Sequence, residues 1–149
     1  MSPSVQIYCK TNKIKFVSSD AQMRPAPVNP EWILEGAPVA RTAVLSTSHD
    51  GCASSFFWDC TAGRFNWYYD IDETVCILEG SAIIRDDSGV ERRLEVGDTA
   101  FFPFGSHAVW HVESYVRKVA FFRSPLPAFL AVPKRAAKAM LQMLKKTSR

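Results

Sequence analysis

The sequence predicts an all-β fold, a small barrel or jelly roll, with helical pattern only at its C-terminal end. Three observations carry this expectation. Between residues 40 and 122, short apolar runs alternate with turn-forming clusters, the pattern of seven or more short strands. No stretch of twelve residues in that interval has a helical period, which argues against βαβ units. The chain has 149 residues, 47% of them hydrophobic, which suits one domain with a substantial core. A domain of this size buries about 68–70% of its unfolded surface.

The elements follow in order. Residues 4–16 mix apolar and polar positions and give an irregular N-terminal strand. Prolines 25, 27, 30 and 38 withhold backbone donors from 23–38, so this stretch is an extended arm. Trp32, Ile33 and Leu34 make it too bulky for a solvated linker, and it is expected to pack on the body. Strands are expected at 43–45, 54–58, 74–78 and 82–84. They are closed by Ser48-His49-Asp50-Gly51, Thr61-Ala62-Gly63, Glu79-Gly80 and the hairpin turn Asp86-Asp87-Ser88-Gly89. Four more are expected at 94–96, 99–102, 107–112 and 115–122. The first three of these end at Gly97-Asp98, Pro103-Phe104-Gly105 and Glu113-Ser114. Leu78, Ile83, Val96, Phe102 and Val112 are the expected barrel filling. Beyond prolines 125, 127 and 133, Ala137, Met140, Leu141 and Leu144 fall at i, i+3, i+4 and i+7, one face of a helix with Pro133 at its first turn. The organisation is thus a strand and arm over 1–39, one β domain over 40–127, and a basic amphipathic helix or tail over 128–149.

The formal charge of +3 is unevenly spread. Six basic residues and no acid lie in 134–149, which leaves the body, 1–133, at −3. The tail suits a helix docked through its apolar face better than a nucleic-acid or membrane contact, and neither of those partners is expected. Cys9, Cys52, Cys60 and Cys76 show no CxxC spacing, so no zinc knuckle or thioredoxin-like motif is present. With no apolar leader in the first nine residues and no span of 18 apolar residues, the expectation is reduced thiols in a cytoplasmic protein.

Two segments carry the functional signal. Glu73 is followed by six residues and Gly80. Gly97-Asp98 is followed by Pro103-Phe104-Gly105. In this order and spacing they resemble the two motifs of the cupin superfamily. The run Trp58-Asp59-Cys60-Thr61, Gly63, Phe65, Trp67, Tyr69, Asp72-Glu73, Ile77-Leu78-Glu79-Gly80, then Trp110 and Val116-Arg117-Lys118, resembles the small ureidoglycine aminohydrolase-like and ethanolamine-utilisation-like cupins. The upstream run from Ile33 to Arg41 fits the same group. The resemblance covers roughly 30–127 and implies a double-stranded β-helix, the RmlC-like jelly roll.

The resemblance also implies where a metal would sit. Cupin ligands are two histidines, a glutamate and a third histidine. The matching positions here hold Trp67, Tyr69, Glu73 and Ala108. Tryptophan and alanine cannot ligate, and one carboxylate with a phenol is a poor transition-metal site. No cofactor is expected, and any bound metal would be a divalent transition ion at Glu73. If residue 108 points inward, Trp110 and Val112 do too, and His107 and His111 face out.

What remains is a pocket built from Trp58, Trp67, Tyr69, Trp110 and Lys118 around Glu73, the candidate catalytic group. A carboxylate among aromatics calls for a cation, and Lys118 and Arg41 are the two candidates. Two readings stand. One is a metal-independent or weakly metal-dependent enzyme, aminohydrolase-like, transforming a small amino- or ureido-type metabolite with Glu73 as acid or base. The other is a non-catalytic ligand-binding or accessory module. A homodimer is expected, with the arm 23–38 and the strand before it as the candidate interface.

Overall fold

A computed structural model describes residues 13–125. The N-terminal strand expected at 4–16 falls mostly outside these residues, and 13–17 form none. The helix expected over 128–149 lies outside them altogether.

Nine strands make up the described fold: β1 (Arg24–Pro25), β2 (Ile33–Gly36), β3 (Ala40–Thr47), β4 (Ala53–Tyr68), β5 (Asp72–Gly80), β6 (Ala82–Asp86), β7 (Glu91–Leu94), β8 (Thr99–Phe102) and β9 (His107–Arg123). All pairings are antiparallel. One layer runs β1-β3-β4-β9-β5-β8. The other halves of β4 and β9 carry β2 and the β6–β7 hairpin. The two long strands therefore belong to both layers of the jelly roll, with the core between them.

Period-two alternation sets the inner face. On β5, Glu73, Val75 and Ile77 point in; on β9, Ala108, Trp110, Val112, Val116, Lys118 and Ala120 do. Trp110 and Phe65 are the largest fully buried side chains. The proline-rich stretch adds β1 to the edge of β3 and β2 to the side of β4, and its Val28 is buried in the core. No helix among the described residues is long and apolar enough to cross a membrane.

Several expectations need correction. Thr61-Ala62-Gly63 and Glu113-Ser114 end no strand. They lie opposite each other in β4 and β9, where the register shifts between Thr61 and Gly63 and the continuous strands turn from one layer into the other. Gly63 meets Pro38 there so closely that an added Cβ would lie 2.8 Å from the proline ring. Leu78 does not fill the barrel. It is the extra residue of a bulge between Ile77 and Glu79 and is exposed. Val96 is also exposed, beside the Gly97 turn, and Leu94 takes the core position instead. Ile83 is only half-buried, whereas Phe102 and Val112 are buried as expected.

Candidate functional site

The site forms at one end of the barrel. The 103–106 turn closes it by pairing with the β4–β5 connection. Gly105 N–H donates to the Tyr69 carbonyl at 2.7 Å, and Tyr69 N–H to the Ser106 carbonyl at 3.0 Å. Phe104 N–H donates to Asp72 Oδ1 at 2.9 Å. The Pro-Phe-Gly turn thus fixes Tyr69 and the start of β5 together, with Gly105 supplying a φ of 80°.

Glu73 is 2% exposed and Lys118 is 4% exposed. Lys118 Nζ donates to Glu73 Oε1 at 2.7 Å, a buried ion pair inside the barrel. The same ammonium lies 4.4 Å from the ring centroid of Trp110 and 4.9 Å from that of Trp58. Lys118 is therefore the cation that the carboxylate needs, held by two aromatic faces as well as by charge. Arg41, the other candidate, is outside the barrel. Its Nε and Nη2 donate to the two oxygens of Asp59 at 3.1 and 2.5 Å.

Trp110 Nε1 donates to the Tyr69 hydroxyl at 2.9 Å, and the Tyr69 ring stacks on Phe102 at 4.5 Å. Burial, then the nearby Glu73 charge, push the Tyr69 phenol well above its ordinary range, although the Trp110 donor opposes them. The hydroxyl accepts from Trp110 and keeps its own proton to donate.

A cavity of about 380 Å³ opens beside this pair, and Trp32, Trp67, Tyr68, Tyr69, Glu73 and Phe122 contribute to its wall. Three predicted residues, Trp67, Tyr69 and Glu73, meet there. Trp58, Trp110 and Lys118 do not line it. They stand behind Glu73 in the core, so the aromatic cage already contains an ammonium of the protein's own. Trp32, Tyr68 and Phe122 were missed. Trp32 is placed by a 3-10 turn, Pro30–Trp32, whose Asn29 side chain accepts from Glu31 N–H at 3.0 Å. Its ring meets Trp67 at 5.7 Å and Tyr68 at 5.4 Å, both edge-on. The Asn-Pro pair ahead of Trp32 was the available signal.

His107 sits outside the barrel, as the inward position of Ala108 requires. Its Nδ1 is 2.7 Å from Asp87 and its Nε2 is 3.0 Å from Asn66. His111, also on the outward parity of β9, is half-buried.

The residues at the cupin ligand positions do not fit a divalent metal. Trp67 and Ala108 pair across β4 and β9 and offer no donor, Tyr69 accepts from Trp110, and the Glu73 carboxylate is engaged by an ammonium. Among the described residues there is no group of three His, Cys, Asp or Glu side chains that could hold an ion.

Cys60 lies near this pair, fully buried. Burial pushes its thiol up to about 12, with the Asp59 charge adding to the effect and Lys118 opposing it. Alkylating reagents attack the thiolate. Cys60 is expected to resist iodoacetamide at pH 8 in the folded protein and to react once urea unfolds it, as peptide mass spectrometry can show. Labelling of native Cys60 as fast as Cys52 would overturn this. The folded thiol holds its proton more tightly than the unfolded one, whose ordinary value is 9.0. Its contribution to stability is thus complete below pH 9 and is lost as pH rises towards 12.

Residues 47–120 match the family model described as an EutQ-like cupin domain. Among solved structures, a protein of unknown function from Pseudomonas syringae pv. tomato aligns with a TM-score of 0.64 at 24% identity, over 68% of this chain and 44% of that one. The chain thus spans less than half of that protein's length. A putative ethanolamine utilization protein Q from Salmonella typhimurium aligns with a TM-score of 0.51 at 26% identity, over 57% of this chain and 69% of its own. The polyketide cyclase RemF from Streptomyces resistomycificus shares the fold, with a TM-score of 0.59 at 16% identity over 77% of this chain and 82% of its own. No curated protein matches the chain. The jelly roll, the spacing from Glu73 to Gly105 and the match over 47–120 agree, and together they support a cupin domain in this chain.

Proposed function

We propose that the cavity beside Glu73 binds a small polar metabolite carrying an amino or ureido group, without a metal. The observation that carries this reading is the pairing of one acceptor and one donor on the same wall. Glu73 is tied to Lys118 through Oε1, and among the described residues nothing donates to its second oxygen. Tyr69 beside it has a hydroxyl proton to give. An N–H group of the ligand meets the carboxylate, a ligand carbonyl meets the phenol, and Trp32, Trp67 and Phe122 cover the apolar faces. The name of the Salmonella relative refers to ethanolamine, an amino alcohol of suitable size, which supports the amine half of this chemistry.

Calorimetric titration with N-carbamoylglycine and with ethanolamine tests the reading. At least one is expected to bind, and Glu73→Gln is expected to weaken it by about 10–100-fold, the worth of a hydrogen bond to a charged group. Tyr69→Phe should weaken the ureido probe and spare ethanolamine. The idea fails if neither probe binds, or if Glu73→Gln binds equally well while circular dichroism shows an intact fold. Ammonia release during the titration separates turnover from binding alone.

A further inference from the structure

The cavity beside Glu73 changes character with depth. Tyr69 and Glu73, 3% and 2% exposed, form its floor. Trp32, Trp67 and Phe122 are half-buried along its wall, and Tyr68 and Asp70 stand exposed at its mouth. The carboxylate on the floor already has its ammonium, Lys118. Asp70 has none: among the described residues no donor or cation meets its side chain, and no basic side chain lines the cavity. Arg123 is 3.9 Å from Asp72, and His107, behind Tyr68 with ring centroids 4.6 Å apart, is paired with Asp87. The mouth therefore carries one negative charge that the protein leaves uncompensated.

Three rings meet beside that charge. Trp32 stands edge-on to Trp67 at 5.7 Å and 73°, and to Tyr68 at 5.4 Å and 64°. Rings set close to right angles form a corner in which the negative face of one adjoins that of the next, an arrangement that attracts an ammonium. The same attraction operates deeper in the barrel, where Trp58 and Trp110 hold Lys118. A corner of rings beside a free carboxylate favours a cation there and repels a ligand carboxylate.

We infer that the mouth is a cation subsite, and that the ligand has two heads: a neutral group with N–H and C=O on the floor, and an ammonium at the mouth between Asp70 and the rings of Trp32, Trp67 and Tyr68. The floor end rests on the function proposed above, and the mouth end does not. Asp70 and Glu73 are three residues apart, so their Cα atoms lie within about 11 Å of each other. A ureido group joined to an ammonium through four methylenes fits that span.

Calorimetric titration of the full chain at low ionic strength, with three ureas of one skeleton, isolates the mouth. N-carbamoylputrescine ends in an ammonium, n-pentylurea in a methyl group and δ-ureidovalerate in a carboxylate. The ammonium probe is expected to bind at least about tenfold more tightly than n-pentylurea, and δ-ureidovalerate to bind most weakly. Asp70→Asn, at an exposed position, should cut the ammonium probe's advantage by about threefold and leave n-pentylurea unchanged. Glu73→Gln should weaken all three alike, because it acts on the end they share. Equal binding of the three probes, or an ammonium advantage that Asp70→Asn leaves undiminished, would overturn the cation subsite and leave the floor reading standing. A charge preference that depends on Asp70 while Glu73→Gln changes nothing would overturn the floor reading and keep the subsite. Binding of none of the three would overturn both.

Discussion

Lys118→Met is expected to destabilise the folded protein by about 3–5 kcal/mol, the cost of leaving a buried charge without its partner. Glu73 and Lys118 are both almost fully buried, with side chains 3% and 5% exposed. Methionine keeps the length and packing of the lysine stem between Trp58 and Trp110, so the loss isolates charge rather than volume. The carboxylate must then either remain ionised without an ammonium at 2.7 Å or take up a proton on folding. Adding Glu73→Gln removes the stranded charge, and the double variant is expected to recover most of the loss. Urea unfolding of the four proteins closes the cycle. A single-variant loss below about 1 kcal/mol would show that the pair is solvated and marginal. A double variant no more stable than Lys118→Met would show that the loss was packing.

This pair also marks how far the sequence could be read. The period-two runs around Val75 and Ile77, and from Ala108 to Val112, specify an inner face. The same parity correctly turned His107 and His111 outward. The strand boundaries were less legible, because a bulge uses the same residues as a turn. Thr61-Ala62-Gly63 reads as the end of a strand, yet the ladder continues through it with one residue displaced. Leu78 fails for a related reason. An apolar residue in an apolar run is assigned inward until an unmarked bulge moves it out, and only the pairing of Ile77 with Lys118 and Glu79 with Arg117 reveals the slip.

The candidate site was legible where motif spacing fixes a position. Glu73, Tyr69 and Trp67 line one cavity. The division of labour was not legible. Whether Trp110 and Trp58 face the ligand or an internal cation depends on which basic residue enters the barrel. Lys118 and Arg41 differ there only by strand parity across bulged ladders. Trp32 reaches the cavity from a segment whose local turn chemistry could be read, but whose place on the body depends on β2 pairing with β4 at Phe65.

Gly80→Ala is the second large effect, expected to cost about 3 kcal/mol or more, within the range where backbone strain and overpacking act together. Gly80 ends β5 at a φ of 67°, a region that costs an L-residue roughly 1–2 kcal/mol on its own. The second contribution is steric. A Cβ built there lies 2.0 Å from the Tyr115 carbonyl oxygen and 2.8 Å from its carbon. That oxygen accepts the Ser81 N–H at 3.2 Å, so it cannot withdraw without loosening the link into β6. The displaced strand is β9, just after its 113–114 bend, and Lys118 lies three residues further on. The substitution should therefore lower the unfolding midpoint and also disturb the Glu73 pair, seen as weaker ligand binding in whatever fraction stays folded. Gly97→Ala is the control. Its φ is 91°, but nothing lies within 4 Å of the added atom, so it carries the backbone cost without the collision. Equal losses in the two variants would show that the close approach of β5 to Tyr115 contributes nothing. A Gly80→Ala loss exceeding that of Gly97→Ala by about 1–3 kcal/mol is the signature of the contact.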